Sequence, residues 1–473
     1  MSQHAIRPWY FFVLVAIGVF LATMDSSMVN VALPTLMRSF NATLPQTGWI
    51  TLIYLLTITV TLLLWGRLSD RLGAARMYLL GMLVFSGGSA ACSLASSLVQ
   101  LIICRFIQAL GASMMMATGP AIIKIAFPLH HLGKALGLIG IATSIGLMSG
   151  PIVGGFVLQF FSWRVLFLIS LPLSLSCFVI GWFWLLPAMA VPSGSRVKVT
   201  GFDWPGLLVW ALLISLTVLL TTHYRFVSGG LLLLGFMAHG MLIYLFWIIE
   251  KRAAAPLLPF VLFKDRHYTI AIFCAALSFA VLFVVLFLLP FYLDHVLQFP
   301  VHRIGLVMMA LPAAVFVVAP LSGWLYDRTG GEHGARLLTT AGLSLCCLAL
   351  LFLCFLDEYS TILDVIWRLV LLGAGQALFL SPNTASVLIT VPVHHIGITS
   401  SILATARNLG MLAGVSLAGL IFGVVFSFLS GGLDLRDFRS SHTAAFMYSL
   451  QISFALTALL AMAGAILSSR RKV

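Results

Sequence analysis

Long apolar stretches recur along the whole chain and restrict its fold more than any other feature. A helix needs about 20 apolar residues to cross the hydrocarbon core of a bilayer. Fourteen stretches qualify, at residues 10–35, 47–66, 76–95, 98–125, 135–160, 164–187, 205–222, 228–249, 268–293, 302–326, 335–356, 361–390, 399–426 and 444–467. Because the polar segments between them are short, we expect an all-α integral membrane protein.

The composition excludes a soluble protein of ordinary type. Of the 473 residues, 61% are hydrophobic and 8% are charged, with a mean hydropathy of +1.11. A water-soluble domain could not bury so much apolar surface, so the solvent of this chain is lipid. The lipid bilayer is therefore its first expected partner.

The net charge of +13 does not indicate nucleic acid, because the basic residues form no single patch. If the N-terminus is cytoplasmic, 17 basic residues fall on the cytoplasmic side and 6 on the other. The smaller set is Arg38, Arg164, Arg225, Arg303, Arg436 and Arg439. This asymmetry follows the positive-inside rule and, with an even number of spans, predicts that both termini are cytoplasmic.

A partial internal repeat predicts two similar halves. The loop Gly66–Arg76 between spans 2 and 3 is matched by Gly323–Gly330 between spans 10 and 11. Such repeats are typical of transporters whose site lies between the halves, near the bilayer midplane. We expect one half at residues 1–190, a second at 268–473, and a linker with an extra two-span hairpin at 191–267.

Asp25 is a carboxylate inside the first span, where a charge is costly and usually functional. It could carry a proton or neutralise a cationic substrate, or it could be a structural carboxylate held by the neighbouring serines. Arg105 and Gln108 are three residues apart on span 4 and share a helix face. Whether Asp25 and Arg105 meet is left open by the sequence.

Glycines recur around a proline on span 5, at Gly146, Gly150, Pro151, Gly154 and Gly155. Glycines three and four residues apart leave a face on which another backbone can approach closely. A proline within the helix removes an amide donor and favours a kink. The alternative is an ordinary helix-packing motif without a role in transport.

Several other side chains are candidates for function. The loop after span 2 contains Gly66, Asp70, Arg71, Gly73 and Arg76, and the positive-inside rule alone does not explain its framework of Gly66, Asp70 and Gly73. The cavity candidates are Asn30, Tyr54, Gln108, Phe287, Asn383 and Arg407. Arg407 could bind an anionic substrate group or donate to a carbonyl oxygen. Phe287 is one of three phenylalanines that recur every four residues on span 9, and these could simply be part of helix packing.

These motifs, in this order, resemble exporters of the major facilitator superfamily, and the central hairpin resembles their fourteen-span drug:proton antiporter branch. The resemblance implies a bacterial inner-membrane exporter of lipophilic or cationic compounds that exchanges them for protons by alternating access. It also implies that Asp25 and Arg105 couple protons, that span 5 carries the antiporter motif, and that Asp70 belongs to a cytoplasmic gate.

The alternatives to a drug exporter are a transporter with another cargo, a membrane-embedded enzyme and a sensor. A transporter of the same fold could export a lipid, a siderophore or a metabolite. A membrane-embedded enzyme would need a converging nucleophile or metal set, and the seven cysteines show no metal-ligand spacing. A sensor would need a soluble output domain. We therefore expect no enzyme activity and no cofactor or metal, and the sequence leaves the oligomeric state open.

Overall fold

The computed structural model describes residues 8–127, 129–188, 203–222, 229–253, 256–258, 260–329, 331–389, 391 and 396–471. Within these residues the long regular elements are all α-helices, so the expected all-α fold is confirmed. They are α1 (Pro8–Phe40), α2 (Leu44–Leu72), α3 (Ala74–Ser93), α4 (Leu98–Ala126), α5 (Leu129–Phe160), α6 (Arg164–Leu168), α7 (Leu171–Ala188), α8 (Trp204–Thr222), α9 (Gly229–Arg252), α10 (Arg266–His295), α11 (Val301–Met308), α12 (Ala310–Thr329), α13 (Gly331–Leu353), α14 (Ile362–Ile389), α15 (Ile396–Leu429) and α16 (Thr443–Ser469).

Twelve helical segments among the described residues are long and apolar enough to cross a bilayer. Two of these segments each combine consecutive helices, α6 with α7 and α11 with α12. The expected spans 76–95 and 135–160 coincide with α3 and α5, which are not among the twelve. The count of fourteen spans therefore stays a prediction.

Polar side chains fix where several helices begin. Thr43 and Gln46 form a capping box at the start of α2, in which each side chain accepts from the other's backbone amide. Asp265 accepts from the amide of His267 at 2.7 Å and so caps α10. Gly73 separates α2 from α3 with a φ of 90°, a conformation that favours glycine.

The helix pairings repeat along the chain. In the first half, α1 packs along α5, and α3 along α4. In the second half, α10 packs along α15, and α13 along α14. The two halves contact each other mainly where α2 meets α15 and where α5 meets α11. The repeated pairings place α1 and α10 in corresponding positions.

The hairpin of α8 and α9 lies outside this repeat. Helix α8 contacts α2 and α15, and the indole nitrogen of Trp210 on α8 donates to the backbone oxygen of Thr59 on α2 at 3.4 Å. Many side chains of α9 are exposed and apolar, as expected for a helix that faces lipid. The hairpin is therefore attached to the bundle chiefly through α8.

The halves are joined by polar contacts at one end of the bundle, which we call the distal end. It is the end at which α1 finishes and α2 begins. There Arg38 pairs with Asp294 of α10 at 2.6 Å, and the amide of Leu44 donates to Asp434 at 3.3 Å. The side chains of Gln159 and His302 are also in contact there. The opposite end, at which α16 finishes, is the proximal end.

We expect Gly81→Val to destabilise the α3–α4 pair. A Cβ atom at Gly81 would lie 2.7 Å from the Cβ of Met114 and 2.9 Å from the backbone oxygen of Gly111. Overpacking of this kind typically costs about 1–3 kcal/mol. Gly87→Val on the same helix is the matched control, because a Cβ atom there has open space. The measurement is melting temperature in detergent, and equal values for the two variants would contradict the close packing.

Candidate functional site

Asp25 lies in α1 and is completely buried. Both of its carboxylate oxygens are used. Oδ2 accepts from Nη1 of Arg105, and Oδ1 accepts from Nε2 of Gln108 at 2.9 Å. The structure thus brings together α1 and α4 through the one acid that the sequence places within the first span.

Arg105 is also completely buried and has further partners. Its Nη1 donates to Oε1 of Gln108 at 2.7 Å, and its Nε donates to the backbone oxygen of Ile50 on α2 at 3.3 Å. The guanidinium carbon lies 4.1 Å from the centroid of the Tyr54 ring, within cation–π range. Arg105 therefore connects α4 to both α1 and α2.

Serines on α3 and near α7 extend this network. Ser89 accepts from Nε2 of Gln108 at 2.8 Å and donates to the backbone oxygen of Phe167 at 2.9 Å. Ser170 lies 2.9 Å from the Ser89 hydroxyl. The sequence analysis missed Ser89, whose only signal is its place on a helix with a face of small residues. We call Asp25, Arg105, Gln108, Ser89 and Tyr54 the central network.

The central network has two chemical properties that matter for function. It holds a carboxylate and a guanidinium as a neutral pair in a water-poor interior, where breaking the pair is costly. Protonation of Asp25 would remove its charge and leave Arg105 without a counter-ion. A proton at this single position would thus change the bonds that join α1, α2 and α4.

Of the predicted cavity residues, Tyr54 belongs to this network with Gln108, and Asn30 lies near it. Tyr54 donates to the backbone oxygen of Ala22 at 3.1 Å. Asn30 accepts from Thr51 at 3.2 Å, and its buried Nδ2 has no partner. Asn30 therefore retains one donor group on α1, one turn and a half beyond Asp25.

The remaining cavity residues are in the second half and do not form one cluster. Phe287 on α10 borders a small space between α2, α8 and α15. Asn383 on α14 accepts from Arg471 at 2.5 Å and donates to the backbone oxygen of Ala271 at 3.2 Å. Arg407 on α15 donates to the hydroxyl of Thr384 at 2.6 Å. Arg471, which follows α16, is almost completely buried.

The glycines of α5 lie against the part of α1 that carries Asp25. A Cβ atom at Gly150 would lie 2.6 Å from the Cβ of Ser27 and 2.8 Å from the backbone oxygen of Met24. Gly146 faces Thr23 and the backbone of Phe20 in the same way. The hydroxyl of Ser27 donates to the backbone oxygen of Leu147 at 2.9 Å. The two helices therefore touch backbone to backbone beside the central network.

The same motif continues across the boundary between the halves. A Cβ atom at Gly155 would lie 3.0 Å from the Cα of Gly305 on α11, and one at Gly305 would strike the backbone oxygen of Pro151. Gly154 is packed less tightly, with Met28 at 3.1 Å. Gly305 is a residue that the sequence analysis missed, although its single glycine within an apolar helix was a signal.

The predicted gate is only partly described. Gly66 has open space around it, and Gly73 forms the turn before α3. Arg76 follows within α3. The side chains of Asp70 and Arg71 lie outside the described residues, so the gate stays a prediction.

The described residues contain no group of three His, Cys, Asp or Glu side chains that could hold a metal ion. The cysteines are free and lie within or at the ends of helices, as small side chains in apolar packing. Nothing in the central network has the arrangement of a nucleophile with a general base.

Comparison with known proteins identifies the family. Residues 15–415 match the Major Facilitator Superfamily. The chain is 33% identical over 463 residues to a riboflavin transporter, RibZ, of Clostridioides difficile, covering 98% of this chain and 97% of that protein. It is 30% identical over 428 residues to the multidrug resistance protein Stp of Mycobacterium tuberculosis, covering 88% of this chain and 76% of that protein.

A solved structure shows the same fold. It is that of a bacterial homologue of the human lysosomal transporter Spinster in an inward-facing, occupied conformation, with a TM-score of 0.63 and 17% identity. The alignment covers 99% of this chain and 97% of that one. The protein is therefore a secondary transporter and not an enzyme: the chain belongs to the Major Facilitator Superfamily.

Proposed function

We propose that this protein exports lipophilic small molecules across the bacterial inner membrane in exchange for protons. The observation that carries the proposal is the buried pair of Asp25 and Arg105 within the central network. An ionisable pair at this depth in a transporter is a natural site for proton binding. The similarity to a multidrug resistance protein supports an exported cargo.

The proposed mechanism is alternating access between two halves. Proton binding to Asp25 weakens its bond to Arg105 and frees α1 to move relative to α4. Helix α1 in turn touches the glycines of α5, and α5 touches α11 of the other half. A proton could therefore bias the contact between the halves through helices that meet directly.

The arrangement in the membrane is part of the proposal. Fourteen spans with both termini in the cytoplasm would place the proximal end on the cytoplasmic side and the distal end outside. The distal contacts, Arg38 with Asp294 and Leu44 with Asp434, would then close the outer side. Asp70 and Arg71 would lie at the cytoplasmic side, where they would act as a gate in the opposite conformation.

The charge of the cargo is where the sequence prediction has least support. A cationic cargo would need an acid to pair with, and Asp25 already accepts from Arg105 and Gln108. A lipophilic cargo fits the apolar side chains of the helices that form the two halves. We therefore propose a lipophilic cargo without requiring it to be cationic.

A second candidate function is the transport of a metabolite. The riboflavin transporter covers almost the whole chain at 33% identity. A flavin combines an apolar ring system with polar groups, and unpartnered donors such as Nδ2 of Asn30 suit a cargo of that kind. Vesicles that accumulate riboflavin but none of several drugs would favour this candidate.

We expect Asp25→Asn to abolish cargo-driven proton movement, because the side-chain amide of asparagine cannot take up and release a proton as a carboxylate can. Inverted vesicles are given riboflavin, rhodamine 123 or fluorescein, and the luminal pH is followed with a fluorescent dye. Asp437→Asn is the control, since Asp437 is half exposed in a distal loop. A pH response of parental size in Asp25→Asn would refute Asp25 as the proton carrier.

We expect Arg105→Met to lower the melting temperature, because it leaves Asp25 buried without its counter-ion. Breaking a buried ion pair typically costs about 3–5 kcal/mol. The double variant Asp25→Asn, Arg105→Met should recover part of that loss, since neither charge then remains. The pair would lose its assigned role if the double variant were less stable than Arg105→Met alone.

We expect Gly150→Ala to slow transport more than Gly154→Ala, because a Cβ atom at Gly150 comes closer to α1. Gly240→Ala on α9 is a third, matched change in open space. Initial transport rates are measured in vesicles containing equal amounts of each variant. Unchanged transport by Gly150→Ala would mean that the α1–α5 contact is ordinary packing.

A further inference from the structure

Arg407 on α15 is a cation whose hydrogen-bonding capacity is largely unused. Its Nη2 donates to the hydroxyl of Thr384 on α14 at 2.6 Å, while its Nε is buried and has no partner. The guanidinium carbon lies 5.8 Å from the centroid of the Phe279 ring on α10, near the limit for a cation–π contact. A guanidinium has five N–H donors, so this environment satisfies only a fraction of them.

The position of Arg407 is well inside the membrane-spanning part of α15. It lies about three turns, or roughly 16 Å, from the start of the helix at Ile396. Phe279, which it faces, is likewise in the middle part of α10. An arginine close to a helix end can extend to the headgroups, but this one is packed between three helices.

Helices α10, α14 and α15 carry no carboxylate at the depth of Arg407. The only acid of α14 is Asp364 near its distal start. Its Oδ1 lies 3.7 Å from Nη1 of Arg368. The only acid of α10 is Asp294 at its distal end, which pairs with Arg38. Helix α15 has none. Among the described side chains, Arg407 therefore has no acid as its counter-ion, whereas Arg105 in the first half is paired with Asp25.

Arg407 also lies on a partly exposed face of its helix. Ser400, Ala404, Arg407 and Met411 recur at spacings of three and four residues and are all partly exposed. Their neighbours on α15, Leu403, Ala406 and Gly410, are buried. Thr384 on α14 is partly exposed as well. This face of α15 is therefore the side from which a small molecule could approach Arg407.

We propose that Arg407 binds an anionic group of the transported compound, such as a carboxylate, phenolate or phosphate. This inference rests on the proposed function and specifies its cargo as lipophilic and anionic. The free Nε and the unshared Nη hydrogens would donate to the anion, and the Phe279 ring would lie beside its apolar part. An arginine at this depth of the membrane without a counter-ion is costly, so a ligand anion would stabilise the site.

The test uses two dyes that share a xanthene ring system and differ in charge. Fluorescein is an anion and rhodamine 123 is a cation at neutral pH. Binding of each to purified protein in detergent is followed by fluorescence polarisation, with protein-free micelles as the blank. Because binding requires no proton gradient, this measurement is independent of the vesicle test of Asp25.

We expect the parental protein to bind fluorescein more tightly than rhodamine 123. Arg407→Gln should weaken fluorescein binding by roughly tenfold or more, the range for a lost charged hydrogen bond. Its affinity for rhodamine 123 should stay the same or increase. Arg407→Lys should lie between, and Arg303→Gln, an exposed arginine, should match the parent.

Three results would overturn the inference. They are an unchanged fluorescein affinity in Arg407→Gln, no fluorescein binding by the parent, and tighter binding of rhodamine 123 than of fluorescein by the parent. The last two need no variant, so they decide the matter even if Arg407→Gln does not fold. Charge-selective binding without a proton response in vesicles would overturn only the proposed function.

A lipid headgroup is the other source of an anion near Arg407. Native mass spectrometry of the parent and of Arg407→Gln, each with added phosphatidylglycerol, distinguishes the two. We expect equal lipid retention by both proteins. Loss of phosphatidylglycerol from the variant, with fluorescein binding unchanged, would assign the site to lipid and refute a cargo anion.

Discussion

The ion pair of Asp25 and Arg105 is the interaction on which the first half of the protein depends. Either charge would be costly in so apolar an interior without the other. Gln108 and the backbone oxygen of Ile50 bond to the pair directly, and Ser89 in turn accepts from Gln108. Four helices, α1 to α4, are therefore held by one neutral cluster. Any change in the charge of Asp25 would therefore alter the hydrogen bonds that hold all four helices.

The second constraint on the fold is close contact between helix backbones at glycines, which have no side chain to separate them. In a bilayer there is no hydrophobic force to draw helices together, so close backbone contact must replace it. The glycines of α5 provide such contact to α1 and, through Gly155 and Gly305, to the other half. In the second half, Gly410 and Gly414 of α15 lie similarly against Ala276 and Ala280 of α10. Corresponding helices in the two halves thus use the same means of association.

The sequence singles out individual candidate residues better than it predicts their partners. Asp25 and Arg105 stand out because a charge within an apolar span is rare, and Gln108 follows from its spacing to Arg105. Ser89 and Gly305 have only weak signals and Arg471 has none, since a serine, a glycine or a terminal arginine is common in any membrane protein. Their importance comes from which helices meet, and that is a property of the tertiary fold. The charge of the cargo was underdetermined for the same reason, because only the structure shows that Asp25 is already paired and Arg407 is not.

The contrast between a paired and an unpaired arginine has an electrical consequence. In the proposed cycle, the proton-free centre with no cargo carries one positive charge, that of Arg407. An anionic cargo cancels it, so the loaded protein changes conformation with little work against the membrane potential. Proton uptake by Asp25 after release leaves two positive charges, and a potential that is negative inside draws that state back towards the cytoplasm. Each elementary charge that crosses the full potential is worth about 2.3 kcal/mol per 100 mV. The membrane potential would then drive the return of the protonated, cargo-free protein and would have little effect on the step that carries the cargo out.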